Sequence, residues 1–286
     1  MTNPGEGPFR RVAIVGLGLM GGSLARALKA LPVPPHIRAV SLDPRDIEEG
    51  VSAGVVDEAP QAHAGLLEDR DLLVYATPLG ATVRLMGEHK PFIGSGTIVT
   101  DLVSLKGPVL ARARGLGLEA RYVGSHPMVG GTGTGFAHSV QDLYRDGRVW
   151  LVQGPGSGPE PLERIRFFWE ALGSHPGRIS AQDHDESMAW VSHLPQLTSN
   201  ALALALKAEG VPRSQLGTGG RDMTRLAGSA PAMWKDLLEA APAALPRALM
   251  AVEGCLAELR KLLLEGDSDG IAQRMTQSME WVEESE

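Results

Sequence analysis

The segment Val12-Ala-Ile-Val-Gly-Leu-Gly-Leu-Met-Gly-Gly-Ser-Leu24 joins a short apolar run to a helical pattern through glycines spaced GxGxxG. Four consecutive apolar residues, Val12 to Val15, suit a strand buried on both faces. Gly16 permits a tight turn, Gly18 lets backbone approach a ligand closely, and Gly21 lets the following helix lie against the strand. The helix that begins around Leu19 and Met20 presents its first backbone N–H groups where its dipole favours negative charge, so the expected guest is a pyrophosphate. Glycine spacing alone is a weak signal in a chain with 35 glycines. The strand before it and the helix after it give it weight.

A second run, Ile37-Arg-Ala-Val-Ser-Leu42, ends at Asp43. An acidic side chain about twenty residues past the glycines accepts hydrogen bonds from ribose hydroxyls and repels a 2′-phosphate, which favours NAD over NADP. Arg45 is read as a solvated side chain that leaves NADP open as the less favoured cofactor.

Apolar runs alternate with helical patterns through the first half: Val12 to Val15, Ala39 to Leu42, Leu72 to Tyr75, Thr97 to Thr100, Arg121 to Gly124 and Val149 to Val152. A helix over Glu160 to Leu172 follows, then a short strand near Gly177 to Ile179. This pattern predicts an α/β fold whose N-terminal part, residues 1–180, is a doubly wound, mostly parallel sheet of Rossmann type. From Ala181 the strand signals stop, and Asp183 to Ala208, Ala232 to Leu238 and Leu245 to Leu264 carry helix formers. Residues 181–286 therefore read as an all-helical domain, apolar enough to pack against a second copy of the chain as a homodimer.

A net charge of −7 without any Lys/Arg-rich run argues against nucleic acid or an anionic membrane surface as partner, and for a small molecule. The single cysteine, Cys255, excludes an intrachain disulfide and a cysteine metal cluster, fits a reducing cytoplasm, and is expected to be buried helix filler. No metal site is expected. The first nine residues have no apolar core, and no apolar stretch is long enough to span a bilayer.

Ligands of such sheets sit beyond the carboxyl ends of the strands, so the polar residues there are the candidates. They are Asp43, Thr77-Pro78, Asp101-Leu-Val-Ser-Leu-Lys106 and Ser125-His-Pro-Met-Val-Gly130. Thr77, Pro78, Asp101 and Ser104 are expected near the cofactor. His126, on a loop stiffened by Pro127, is the candidate proton acceptor, because imidazole titrates at about 6.5. Ser104 is placed to donate to the same alcohol or to hold the ring, whereas Lys106 reads as a helix-start or surface residue. In the helical half, His193, Gln196 and Asn200 share one helical face beside a kink expected at Pro195; a cleft wall and a solvated face fit that stripe equally. Arg225 has the fork geometry for a carboxylate, with Arg221 and Asp222 able to orient it, ahead of a helix start at Ser229 and Pro231.

Taken in order, Gly16 to Leu24, Asp101 to Lys106, Gly124 to Gly130, Ser192-His-Leu-Pro195 and Arg221-Asp-Met-Thr-Arg-Leu-Ala227 resemble the prephenate dehydrogenase family, which includes arogenate and cyclohexadienyl dehydrogenases. The resemblance covers nearly the whole chain. It implies a nucleotide-binding domain and a helical dimerisation domain, with His126 at the substrate ring hydroxyl and Ser104 beside that hydroxyl and the nicotinamide. It further implies Arg225 on a substrate carboxylate and Trp234, His193, Gln196 and Thr132 at the substrate, in tyrosine biosynthesis. Two positions depart from the family pattern: Gln196 stands where many members have histidine, and Thr132-Gly-Thr134 where many have an acidic residue. The second departure leaves one fewer partner for the amino group of arogenate and favours prephenate. Other readings are an arogenate dehydrogenase, another two-domain NAD(P) hydroxyacid dehydrogenase, or a non-enzymatic nicotinamide sensor.

Overall fold

The computed structural model describes residues 7–131 and 133–284. Contacts divide the chain into two units, Met1–Met188 with Ser229–Ala241, and Ala189–Gly228 with Pro242–Glu286.

The first unit is built on β1 (Arg11–Val15), α1 (Leu19–Lys29), β2 (His36–Val40), α2 (Pro44–Ser52), α3 (His63–Leu67), β3 (Leu72–Tyr75), α4 (Leu79–His89), β4 (Ile98–Asp101), α5 (Gly107–Gly115), β5 (Val123–Pro127), β6 (Arg148–Gln153), α6 (Pro159–Ala171), β7 (His175–Arg178) and α7 (Ala181–Met188). Strands β2-β1-β3-β4 pair in parallel in that order. Chain order reverses between β1 and β3, where a doubly wound sheet opens its ligand crevice. Side chains alternate across this sheet: Val12, Ile14, Leu72 and Val74 enter one core with Leu28 and Trp169, while Ala13, Val15, Leu73 and Tyr75 enter the other. Burial on both faces explains why β1 and β3 read as unbroken apolar runs.

Strands β5-β6-β7 form a second sheet in which β5 and β6 are antiparallel and β6 and β7 parallel. A bridge between Val99 and Tyr122 joins it to β4. Two strand positions differ from those expected. β2 ends at Val40 rather than Leu42, which is fully exposed. β5 runs over Val123–Pro127 rather than Arg121 to Gly124, so His126 lies on a strand and not on a loop. Pro127 closes a strand whose partner, β6, lies on one side.

The second unit consists, among the described residues, of a π-helical turn over Ala189–His193, α8 (Leu194–Ala208), the short α9 (Thr218–Met223), and, after the first-unit helix α10 (Pro231–Glu239), α11 (Ala244–Glu265) and α12 (Ser268–Glu283). The kink expected at Pro195 takes the form of that π-turn: proline has no N–H for the preceding turn, and the wider turn absorbs the loss. The contact boundary falls at Met188 rather than at residue 180, because α7 is fastened to the start of α5 by Asp185. Segment Ser229–Ala241 also joins the first unit, where Asp236 accepts from Gly80 N at 3.3 Å and Leu237 enters the core. α10 begins at Pro231 with Ala230 as its cap, so Ser229 is not the capping residue. Cys255 is exposed rather than buried, on a face of α11 that also exposes Leu256. Among the described residues no helix is long and apolar enough to cross a membrane, and no cluster of His, Cys, Asp and Glu could hold a metal.

Candidate functional site

The glycine turn is tight and brings α1 close against β1. Gly16 adopts φ +93°, and a Cβ there would lie 2.6 Å from Ala76 O and 2.8 Å from Thr77 Cγ2. A Cβ on Gly21 would overlap the Gly16 carbonyl oxygen, so only glycine lets α1 begin this close to β1. Gly18 differs: a Cβ there would meet nothing nearer than Gly135 N at 3.9 Å. Gly18 caps α1 with no side-chain hydrogen bond, and the first turn of α1 carries no acidic residue. The opening N–H groups of an eleven-residue helix thus meet no side-chain cap, which fits a pyrophosphate. The segment after β5 folds back over this turn. Phe136 packs against Gly22, Gly131 lies beside Leu19, and Tyr144 Oη donates to Met20 O at 2.7 Å.

Asp43 caps α2, accepting from Arg45 N at 3.0 Å and pairing with Arg45 Nη2 at 2.7 Å. Arg45 is therefore ion-paired rather than merely solvated. Its hydrogen bonds hold the Asp43 carboxyl below its ordinary pKa, so the carboxylate is charged at the end of β2. Thr77 and Pro78 follow β3, with Thr77 Oγ1 2.8 Å from Thr82 Oγ1 and Pro78 exposed as the cap of α4.

Between β4 and α5 the structure redistributes the expected roles. Asp101 is fully buried: Oδ1 accepts from Val103 N at 2.9 Å and from Lys106 Nζ, and Oδ2 accepts from Tyr122 Oη at 2.5 Å. Both carboxylate oxygens are thus committed inside the unit, so Asp101 braces the segment from within instead of offering its carboxylate to a cofactor. Lys106 caps α5, as one reading of it expected, but it is wholly buried and not a surface residue. Its Nζ also donates to Ser125 O at 2.8 Å, beside His126. Burial pulls the Lys106 pKa down while Asp101 opposes that shift, and burial followed by Asp101 pushes Tyr122 well up. Gly124 makes room for this cluster, since a Cβ there would lie 2.8 Å from Tyr122 Oη. Ser104 remains half-buried on the connecting loop.

His126 is 9% exposed on β5. Its Nδ1 lies 2.9 Å from Nε2 of His184, whose Nδ1 lies 2.7 Å from Asp185 Oδ1. Sequence reasoning missed His184 and Asp185. They stand in the polar run Ala181–Met188, where nothing local marks His184 as fully buried. Trp169, also missed, donates Nε1–H to Ser125 Oγ at 3.0 Å and steadies the strand behind His126.

In the second unit the polar stripe faces inward. His193 and Gln196 are buried, and Gln196 Nε2 donates to Leu226 O at 2.7 Å and to Asn200 Oδ1 at 3.1 Å. A solvated face is thereby excluded. Arg225 is exposed and lines a cavity of about 730 Å³ with Lys207, Arg213, Leu206, Val211 and Leu216. The expected orientation by neighbours takes another form: among the described residues no ion pair joins Asp222 to Arg225, and Arg221 Nη2 reaches Ser214 O at 3.4 Å. Trp234, expected in the helical half, belongs to the first unit, half-buried against the core that holds Tyr75 and Leu79. Thr132 lies outside the described residues.

Residues 24–176 match the family model described as prephenate dehydrogenase, nucleotide-binding domain, and residues 180–277 match prephenate dehydrogenase, dimerization domain. A cyclohexadienyl dehydrogenase of Zymomonas mobilis is 30% identical over 264 residues, covering 89% of this chain and 87% of that protein. A prephenate dehydrogenase of Bacillus subtilis is 30% identical over 239 residues, which cover 79% of this chain but 63% of the relative's length. The crystal structure of prephenate dehydrogenase from A. aeolicus, in complex with hydroxyphenyl propionate and NAD+, superimposes with a TM-score of 0.90. It is 26% identical and covers 97% of this chain and 98% of that one.

Proposed function

This chain belongs to the prephenate dehydrogenase family of oxidoreductases, and from that premise we propose that it catalyses the NAD+-dependent oxidative decarboxylation of prephenate to 4-hydroxyphenylpyruvate. The observation that carries the reading is the buried His126 imidazole, anchored through Nδ1, in the same unit as a helix N-terminus that no side chain caps. Gly16, Gly18, Leu19, Met20 and Gly21 would hold the pyrophosphate, Asp43 the adenosine ribose, and Thr77, Pro78 and Ser104 would line the nicotinamide side. NAD+, when bound, supplies the acceptor for the hydride from C4 of the substrate.

His126 accepts the proton of the C4 hydroxyl as the carbinol carbon is oxidised, with Ser104 hydrogen-bonded to the same oxygen. The C1–carboxylate bond breaks, its electron pair enters the ring, and carbon dioxide departs as the ring becomes aromatic. The proton on His126 returns to the phenolate oxygen, so the overall reaction releases none. Arg225 grips a substrate carboxylate, which its place among Lys207 and Arg213 on one cavity supports. His193, Gln196, Trp234 and Thr132 complete the substrate contacts. Prephenate is favoured over arogenate because the chain carries Thr132 where a carboxylate would meet an amino group.

We also propose a homodimer formed through the helical unit, where Leu204, Met250, Leu263, Leu264, Met275 and Trp281 are each more than half exposed. The test follows reduced nicotinamide and carbon dioxide with NAD+ or NADP+ against prephenate and arogenate. His126→Asn is expected to lower kcat about 10²-fold or more with NAD+ binding intact, and Arg225→Ala to raise KM for the diacid. A higher kcat/KM on arogenate, or full turnover in His126→Asn, would overturn the reading.

A further inference from the structure

Within the first unit a line of hydrogen bonds runs from the start of α5 to His126. Asp185 Oδ1 accepts from Lys106 N and Oδ2 from Gly107 N, both at 2.8 Å, the opening backbone N–H groups of α5. Gly107 permits that approach, since a Cβ there would lie 3.0 Å from Asp185 Oδ2. Burial works against the charge of Asp185, yet the hydrogen bond from His184 and the two backbone donors hold its carboxyl below the usual range. The carboxylate also sits at the positive end of the helix dipole.

Protonation states along this line follow from donor and acceptor counting. An ionised carboxylate only accepts, so the Asp185 contact places the hydrogen of neutral His184 on Nδ1. The lone pair of that ring is then on Nε2, which can only accept, so the 2.9 Å contact places a hydrogen on Nδ1 of His126. Neutral His126 therefore carries its own lone pair on Nε2. The Lys106 ammonium donates to Ser125 O, the residue before His126, and Asp101 matches its charge.

We propose that His184 and Asp185 are positioning residues that fix His126 in the Nδ1–H tautomer and so make Nε2 the proton-accepting atom. This inference rests on the reaction proposed above. The proton leaving the substrate hydroxyl forms an N–H bond at Nε2. His126 then holds two N–H groups, one directed at His184, while the Asp185 carboxylate two rings away compensates the positive charge. The same proton returns from Nε2 to the phenolate.

The experiment uses the full chain labelled with 15N-histidine and long-range proton–nitrogen NMR, alongside kcat, KM and NAD+ affinity. In the wild type the His126 ring is expected to show protonated Nδ1 and bare Nε2. His184→Leu removes the acceptor, and Asp185→Asn removes the negative charge that compensates the protonated His126 ring, while its amide oxygen keeps the Oδ1 contacts to Lys106 N and His184. Each is expected to lose about 10²-fold in kcat with KM and NAD+ affinity within threefold. His184→Gln, whose carbonyl can accept from Nδ1–H, is expected to recover turnover to within about tenfold of the wild type. A wild-type His126 protonated at Nε2, or undiminished kcat in His184→Leu, overturns the inference, and the NMR result decides it should His184→Leu fail to fold. Absence of turnover on every cyclohexadiene tested would instead overturn the proposed reaction and leave the tautomer measurement standing by itself.

Discussion

Replacing Gly18 by alanine separates nucleotide binding from folding. Residue 18 has φ −71° and ψ −156°, which alanine adopts without strain, and the added Cβ meets no protein atom nearer than 3.9 Å. The cost to folding is therefore expected to stay within about 0.5 kcal/mol. The same methyl occupies the gap through which backbone approaches a pyrophosphate. If it separates the phosphates from two N–H groups of α1, two charge-assisted hydrogen bonds are lost, each worth about 1.5–3 kcal/mol. That sum weakens binding by on the order of 10²-fold or more. Gly21→Ala is the control: its Cβ would overlap Gly16 O and lie 3.1 Å from Ala76 Cβ, so α1 must move. Overpacking of this kind costs about 1–3 kcal/mol or more, a fall in Tm of several degrees. Fluorescence titration with NADH and thermal unfolding of both variants measure the two effects separately. Gly18→Ala that binds NADH within threefold of the wild type, or that loses as much Tm as Gly21→Ala, would refute this account of the cradle.

Asp43→Ala removes a carboxylate that repels a 2′-phosphate and frees Arg45 to meet one, so the NADP+ to NAD+ affinity ratio is expected to rise at least about tenfold by direct titration. Lys106→Met leaves Asp101 buried without its cation and is expected to cost about 3–5 kcal/mol in denaturant unfolding, much of it recovered when Asp101→Asn is added. His89 is buried with its pKa lowered to about 4, first by burial and then by His63. Its unfolded value is near 6.5, so between those values the unfolded chain takes up a proton that the folded chain refuses. Stability is thus expected to fall by up to about 3 kcal/mol as pH drops through that window, and His89→Gln, which can still partner Tyr75 Oη, should flatten this component of the pH–stability curve.

The elements were legible in the sequence where a local period fixed them. β1, β3, α6 and α11 lie within a residue or so of their expected spans, because runs buried on both faces and long helical repeats are local properties. The glycine turn was legible for the same reason, since its turn, gap and close packing fall within six residues, Gly16 to Gly21. What could not be read locally is pairing across sequence distance. Lys106 has the composition of a surface residue until Asp101, Tyr122 and Ser125 O close around it. His184 lies 58 residues from His126, on a helix whose Gln182, Asp183 and Glu186 do face water. Trp234 follows a helical stretch in the sequence but packs on the sheet-bearing unit.

In the second unit the residue pattern left the polar stripe of α8 open, since a cleft wall and a solvated face fit it equally. On α8 and the π-turn before it, the buried residues are Ala189 and the polar His193, Gln196 and Ser199, while Trp190, Val191 and Leu204 are 47%, 58% and 65% exposed. Buried polar groups are tolerable there because they are bonded: Gln196 to Leu226 O, and Ser199 Oγ accepting from Ala227 N at 3.1 Å. A lone chain gains nothing from leaving those apolar side chains in water. The inversion makes sense if the outward side chains meet a second copy, while the inward ones brace the segment that carries Arg225. On that logic Leu204→Asp should split the dimer in sedimentation velocity without disturbing the Gln196 contacts. A variant that stays dimeric would mean the exposed face of α8 serves some other purpose.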